Sequence, residues 1–162
     1  MYIRNYFGQY AEDVKKLNTY QKILLSANIL HFQSVFIEIF DNTYGEELYM
    51  LYEEVINELA LISRVETPSS SLIKLRDVSY KRIPDTDVFP SKEGTFAQYA
   101  MISACYFMSF AIEHDVDAFY KATDIFIESL YAQNQCSDEP LNDTEIYEKI
   151  VGRWPHLIEG LS

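Results

Sequence analysis

Apolar side chains recur along much of this chain at the three- and four-residue spacing of an α-helix. In the clearest segment, 46–62, the residues at this spacing are Leu48, Tyr52, Val55, Leu59 and Ile62. Glutamates occupy several of the positions between them, so this segment predicts an amphipathic helix with one buried and one wet face. A similar spacing runs from Phe119 to Leu130, and it predicts a helix that ends near Gln133.

Two segments are apolar on more than one side. Asn18 and Gln21 form a capping-box pattern, and the mostly apolar helix that they predict continues to about residue 40, with a kink or break near 31–33. The segment 95–112 is apolar on every side, which is typical of the central helix of a bundle or of a membrane span. It is shorter than the roughly 20 residues that a bilayer requires, and it contains Gln98. We therefore expect a central helix, in which Phe107 or Ile102 is fully buried, and no membrane insertion.

Shorter patterns complete the architecture. We expect a first helix at 5–16, a basic helix at 72–82, a loop at 83–94 and a last helix from Asn142 or Thr144 to Trp154. The chain has only 5 Gly and 5 Pro, which favours helices over many short strands joined by turns. The prediction is an all-α, single-domain bundle over 1–162, with about six or seven helices around the central apolar helix 95–112.

Charge is distributed unevenly along the chain, whose net charge is −12. Residues 41–112 carry 6 basic and 11 acidic residues, and residues 113–162 carry 3 basic and 11 acidic residues. Nucleic-acid binding is disfavoured, because phosphates attract basic clusters and are repelled by carboxylates. An acidic field attracts basic proteins and accelerates their encounter, although the same charge is also explained by solubility alone.

Candidate catalytic and metal-binding residues are sparse. The three histidines lie far apart, and Cys105 and Cys136 have no ligand spacing around them. The segment Glu113–Asp117 has the residue types of a metal site, but it is also explained by a helix end followed by a new helix that Asp115 or Asp117 caps. No local catalytic motif occurs. We expect no enzyme activity, no metal and no cofactor. Two unpaired cysteines and an N-terminus without a signal-peptide pattern favour the cytoplasm.

Tyrosine is abundant, with 13 residues, and several tyrosines stand among acids. Tyrosine is favoured at protein interfaces, yet most of these rings are equally explained as core or core edge. The candidate contacts for a basic partner are the helix-associated residues Glu46, Glu47, Tyr49, Glu53 and Glu54 and the loop residues Asp85 and Asp87.

Scattered positions over about four fifths of the chain resemble the YjaG-like family of bacterial all-helical proteins of unknown function. They are Leu17, Tyr20-Gln21, Ala27, Tyr44-Gly45, 46–62, Ile83–Phe89, Tyr99, Ile102, Ala104-Cys105 and Cys136–Glu139. The resemblance implies a helical bundle and no particular reaction. The chain departs from the family at Ala100, where a proline is expected, and at Ser103, where an acid is expected.

Three functional hypotheses follow from these patterns. The first is a non-enzymatic binding protein, an immunity protein that neutralises a basic, nuclease-type toxin. The second is a bacterial housekeeping helical protein of the YjaG-like type, which could associate with itself as a homodimer. The third is an enzyme whose site is built from residues far apart in sequence, and no residue pattern gives positive evidence for it. Composition, charge and the absence of catalytic motifs fit the first hypothesis, and size does not exclude it.

Overall fold

Helices account for most of the chain. The computed structural model describes residues 12–67, 69–142, 144 and 145, which form helices and connecting loops without a β-strand. The complete helices among them are α1 (Thr19–Tyr44), α2 (Tyr49–Val65), α3 (Ser70–Lys81), α4 (Lys92–Glu113) and α5 (Val116–Gln135). Residues 12–15 and 144–145 are also helical. The predicted all-α class is therefore confirmed, whereas most of the predicted helices 5–16 and 144–154 lies outside the described residues.

Polar side chains cap several of these helices, and the caps of α1 and α5 lie at positions predicted from the sequence, whereas Ser91 was not predicted as a cap. The capping box of α1 is present, with Gln21 N donating to Asn18 Oδ1 and Asn18 N donating to Gln21 Oε1, both at 2.9 Å. Ser91 Oγ accepts from Gly94 N at the start of α4. Asp115 Oδ1 accepts from Asp117 N at 3.0 Å, so Asp115 rather than Asp117 caps α5.

Helix α1 differs from the prediction because it is continuous through 31–33 and runs to Tyr44. The side chain of Gln33 is buried while its neighbours His31 and Phe32 are exposed, so the polar residues follow the helical faces and do not interrupt the helix. Helix α2 begins at Tyr49, three residues later than predicted. Glu46 and Glu47 therefore precede the helix and lie in the turn that leads into it.

Helix α4 is the centre of the bundle, as its all-round apolar sequence predicts. It packs extensively against α5, α1 and α3, and it also packs against α2. Phe107 is fully buried as expected, but Ile102 is only half-buried. The expectation of full burial for Ile102 was wrong because α3, which covers this flank, has 12 residues and buries only Leu72 and Ser79.

Candidate functional site

Four of the predicted contact residues lie at one end of the bundle, where the α1–α2 turn (45–48) meets the α3–α4 loop (82–91). We call these two segments the loop end. Arg82 Nη2 donates to the backbone oxygen of Glu47 at 3.1 Å, and the hydroxyls of Tyr44 and Ser91 share a hydrogen bond. The Phe89 ring lies 4.9 Å from the Phe40 ring and 4.8 Å from the Tyr44 ring, centroid to centroid. These contacts bring together segments that are about 40 residues apart in sequence.

The α1–α2 turn is held by Gly45 and Asp41. Gly45 has φ = 69°, in the left-handed region, and its N–H donates to Asp41 O at 2.8 Å. Leu48, the N-cap residue of α2, provides no side-chain cap. The Asp41 carboxylate caps α2 instead, because it accepts hydrogen bonds from Leu48 N at 3.0 Å and from Tyr49 N at 2.8 Å. An anion placed there also favours the positive end of the helix dipole.

The α3–α4 loop makes its own tight turn. Asp85 Oδ1 accepts from Asp87 N at 2.9 Å, and Asp85 O accepts from Phe89 N at 2.8 Å. The backbone of Phe89 packs so closely on Gly94 that a Cβ atom at position 94 would collide with it. This close approach requires glycine in the first turn of α4, and it presses the loop against the helix.

The structure brings Glu46 and Asp85 to a shared groove of about 290 Å³. Lys81 and Arg82 line the same groove, so two cations lie among the predicted acids. Asp87 is exposed on the same loop, and Glu47 is exposed on the turn. The loop end is consequently of mixed charge, which the sequence pattern did not predict.

The predicted contacts on α2 divide into two groups. Glu53 and Glu54 are exposed on its outer face, whereas Tyr49 is half-buried against the core.

Across the described chain, ion pairs link Lys15 with Glu12, Lys16 with Asp13 and Arg76 with Glu113. The six predicted carboxylates make no such pair within that part of the chain, and all six are exposed.

The tyrosines near these acids belong mainly to the core and its edge. Tyr52 is fully buried, and the tyrosines packed partly buried against the core include Tyr44, Tyr49, Tyr120 and Tyr131. Tyr147 lies outside the described residues. Among the described tyrosines, Tyr80 is 71% exposed, but it lies on the basic helix α3. The alternative interpretation of the tyrosines as core and core-edge residues is therefore confirmed for these positions.

Helix α5 carries a second acidic face, which was not among the predicted contacts. Asp117, Asp124 and Glu128 are exposed on α5, and their spacing of seven and four residues places them on one helical face. Lys121 lies on the same face, with its Nζ atom 5.9 Å from the centroid of the Tyr106 ring. The spacing was visible in the sequence, and the charge of residues 113–162 indicated this region.

The segment Glu113–Asp117 is a helix junction. His114 ends α4 with φ = 55°, and its ring meets the Tyr20 ring edge-on at 6.4 Å. Glu113 Oε1 accepts from Arg76 Nη1 at 2.8 Å. These contacts confirm the interpretation as a helix end followed by a new cap. Within the described ranges, no group of three or more His, Cys, Asp or Glu side chains is placed to hold a metal ion.

Comparisons with protein-family models, with curated proteins and with solved structures find no match for this chain. The resemblance to the YjaG-like family accordingly stays a prediction, and the function has to be argued from the chain's own chemistry. The surfaces that carry exposed carboxylates are the loop end, the outer face of α2 and the acidic face of α5.

Two helices are long and apolar enough to cross a membrane by length and composition alone. They are Thr19–Tyr44 and Lys92–Glu113, and 50% and 56% of their most apolar windows are buried inside the bundle. The core helix of a globular domain meets the same criterion, so this finding is weak evidence of membrane insertion.

Proposed function

We propose that this chain is a non-enzymatic binding protein that neutralises a basic protein partner, as an immunity protein for a nuclease-type toxin does. In this proposal it acts in the cytoplasm. The observation that carries it is a set of six exposed carboxylates outside any ion pair in the described chain: Glu46, Glu47, Glu53, Glu54, Asp85 and Asp87.

The distribution of these carboxylates supports a protein partner. Glu53 and Glu54 stand on a rigid helix, which presents charge at fixed spacing, whereas Asp85 and Asp87 are exposed on the α3–α4 loop at one end of the bundle. Loop residues can enter the cleft of a partner. In a chain of net charge −12, such groups steer a basic partner into contact and repel acidic ones.

The cations of the loop end refine the proposal. Arg82 is anchored to the backbone of Glu47, and Lys81 shares the groove with Glu46 and Asp85. A partner that docks there needs both basic groups for the carboxylates and an acceptor for Lys81. This mixed pattern favours specific recognition over nonspecific attraction, because Lys81 would repel a partner that places a basic group opposite it.

The test is co-expression with a toxin encoded beside the gene, followed by measurement of the binding rate and affinity for the purified pair. We expect the intact chain to protect cells. The double reversal Asp85→Lys, Asp87→Lys should weaken binding at least tenfold, mainly through the association rate at low salt, because rim charges control encounter. The difference should shrink as added salt screens the charges.

The matched control is Asp117→Lys, Glu128→Lys, which changes the net charge by the same amount on the acidic face of α5. If this control weakens binding as much as the loop variant, net charge alone explains the attraction. If it weakens binding more, the contact lies on α5. Equal cell death with and without the chain, or the absence of a neighbouring toxin gene, would favour the alternative of a housekeeping, self-associating protein.

A further inference from the structure

A groove of about 690 Å³ lies between α3 and α4. Ile102, Cys105, Tyr106 and Ser109 line it from α4, at the spacing that defines one flank of a helix. Arg76, Asp77, Tyr80 and Lys81 line it from α3, so its charged groups are two cations and one acid. The contacts proposed for a basic protein partner lie elsewhere, apart from Lys81, so the groove is a separate candidate site.

The groove exists because a helix that is apolar on every side has one flank incompletely covered. Helix α3 buries only Leu72 and Ser79, and it leaves Ile102 and Tyr106 half-buried. The resulting volume falls within the roughly 300–1,000 Å³ of small-molecule sites, which combine apolar walls with a few fixed polar groups. The geometry therefore has the size and lining expected for a small organic ligand.

Arg76 determines the charge of that ligand. Its Nη1 atom donates to Ser109 Oγ at 3.3 Å and to Glu113 Oε1 at 2.8 Å, so the guanidinium is held in place with its side chain 25% exposed. An arginine carries five N–H donors. Those on Nε and Nη2 make no hydrogen bond within the described chain, and together they form the edge that grips a carboxylate with two parallel bonds.

The groove is also the more basic part of an acidic molecule. Helix α3 carries Lys74, Arg76 and Lys81 against the single acid Asp77, while the chain as a whole has net charge −12. Burial raises the pKa of the Cys105 thiol to about 12, and the nearby charge of Arg76 opposes that rise. Cys105 and Arg76 both line the groove, and the charge of Arg76 acts on the Cys105 thiol.

We propose that the groove between α3 and α4 binds a small amphipathic carboxylate. The carboxylate pairs with the Nε and Nη2 edge of Arg76, and the apolar body lies along Ile102 and Tyr106. The proposal is independent of the neutralisation of a basic partner. A neutral or cationic ligand of the same length would leave the Arg76 edge unpaired and is disfavoured.

Isothermal titration calorimetry of the full chain tests whether the ligand has to be an anion, with decanoate as the probe below its micelle concentration. Decanol and decyltrimethylammonium supply the same apolar body without the anion. We expect decanoate to saturate a single site and to bind at least tenfold more tightly than the other two. Equal binding of the three probes, or no saturable binding of decanoate, would overturn the proposal.

Variants locate the site. Arg76→Gln should weaken decanoate binding about tenfold, whereas Lys74→Gln removes the same charge from an exposed position outside the groove and should change binding less than twofold. Ile102→Glu is a second variant that keeps both Arg76 and Glu113, and it should abolish binding because it places an acid where the apolar body lies. Circular dichroism confirms that each variant is folded.

Thiol alkylation supplies an independent readout of position. In a Cys136→Ser background, which removes the exposed thiol, bound decanoate should slow the alkylation of Cys105 because it covers the groove that Cys105 lines. If decanoate binds but leaves the alkylation rate unchanged, or if Lys74→Gln weakens binding as much as Arg76→Gln, the ligand lies elsewhere and the assignment is wrong.

Discussion

Some buried or partly buried polar side chains are hydrogen-bonded in the described chain, and others are not. Both amide atoms of Gln33 and the hydroxyl of Tyr52 are buried without a hydrogen-bond partner in the described chain. The hydroxyl of Tyr44, in contrast, shares a hydrogen bond with Ser91 across the loop end. An unpaired buried polar atom costs about 1–3 kcal/mol, while a satisfied one contributes about 0.5–1.5 kcal/mol. The two tyrosines should therefore respond in opposite ways to the loss of their hydroxyls.

Tyr52→Phe removes only the unpaired hydroxyl and keeps the ring that fills the core. We expect the free energy of unfolding to stay unchanged or to rise. Tyr44→Phe, the matched control, should lower the free energy of unfolding by about 0.5–1.5 kcal/mol, because it breaks the bond to Ser91. Urea denaturation measures both. A larger loss for Tyr52→Phe than for Tyr44→Phe would mean that the Tyr52 hydroxyl has a partner, such as a buried water.

Helices in this molecule depend on side chains from neighbouring elements as well as on their own ends. Helix α1 has a local capping box at Asn18, but α2 is capped by Asp41, which belongs to the last turn of α1. The same α1–α2 turn presents Glu46 and Glu47 to solvent. The Asp41 cap therefore fixes both the start of α2 and the position of two proposed contact residues.

Asp41→Ala should lower the free energy of unfolding by about 0.5–2 kcal/mol, the usual range for loss of an N-cap. Asn42→Ala removes the adjacent exposed side chain and should change it by less than about 0.5 kcal/mol. Asp41→Asn keeps one acceptor oxygen and should fall between these two. Thermal and urea unfolding provide the comparison. If Asp41→Ala and Asn42→Ala are equally stable, the carboxylate does not cap α2.

The whole molecule should lose stability in alkaline solution. Burial raises the pKa of the Cys105 thiol from 9.0 to about 12, and it raises the pKa of Tyr52 well above its ordinary value of 10.0. In the unfolded chain both groups release their protons earlier. Their contribution to stability is therefore complete below about pH 9 and is lost progressively as the pH rises towards the folded-state values.

We expect the urea midpoint of the intact chain to fall between about pH 9 and pH 11. The double variant Cys105→Ala, Tyr52→Phe should show a shallower fall. Cys136→Ala, which alters an exposed thiol, should keep the slope of the intact chain. Identical slopes for the intact chain and the double variant would show that other groups, such as the lysines, control the alkaline loss.

The sequence by itself determined the helical class, the central position of 95–112, the buried face of α2 and the cap at Asn18, and it narrowed the cap of α5 to Asp115 or Asp117, because helical periodicity and capping act over a few residues. It also located the exposed acids of the candidate surface. Tertiary structure alone decided that Lys81 and Arg82 lie beside Glu46, and that Ile102 faces a groove with Arg76. Those contacts join residues more than twenty positions apart, and their pairing depends on how helices pack, which local spacing does not encode.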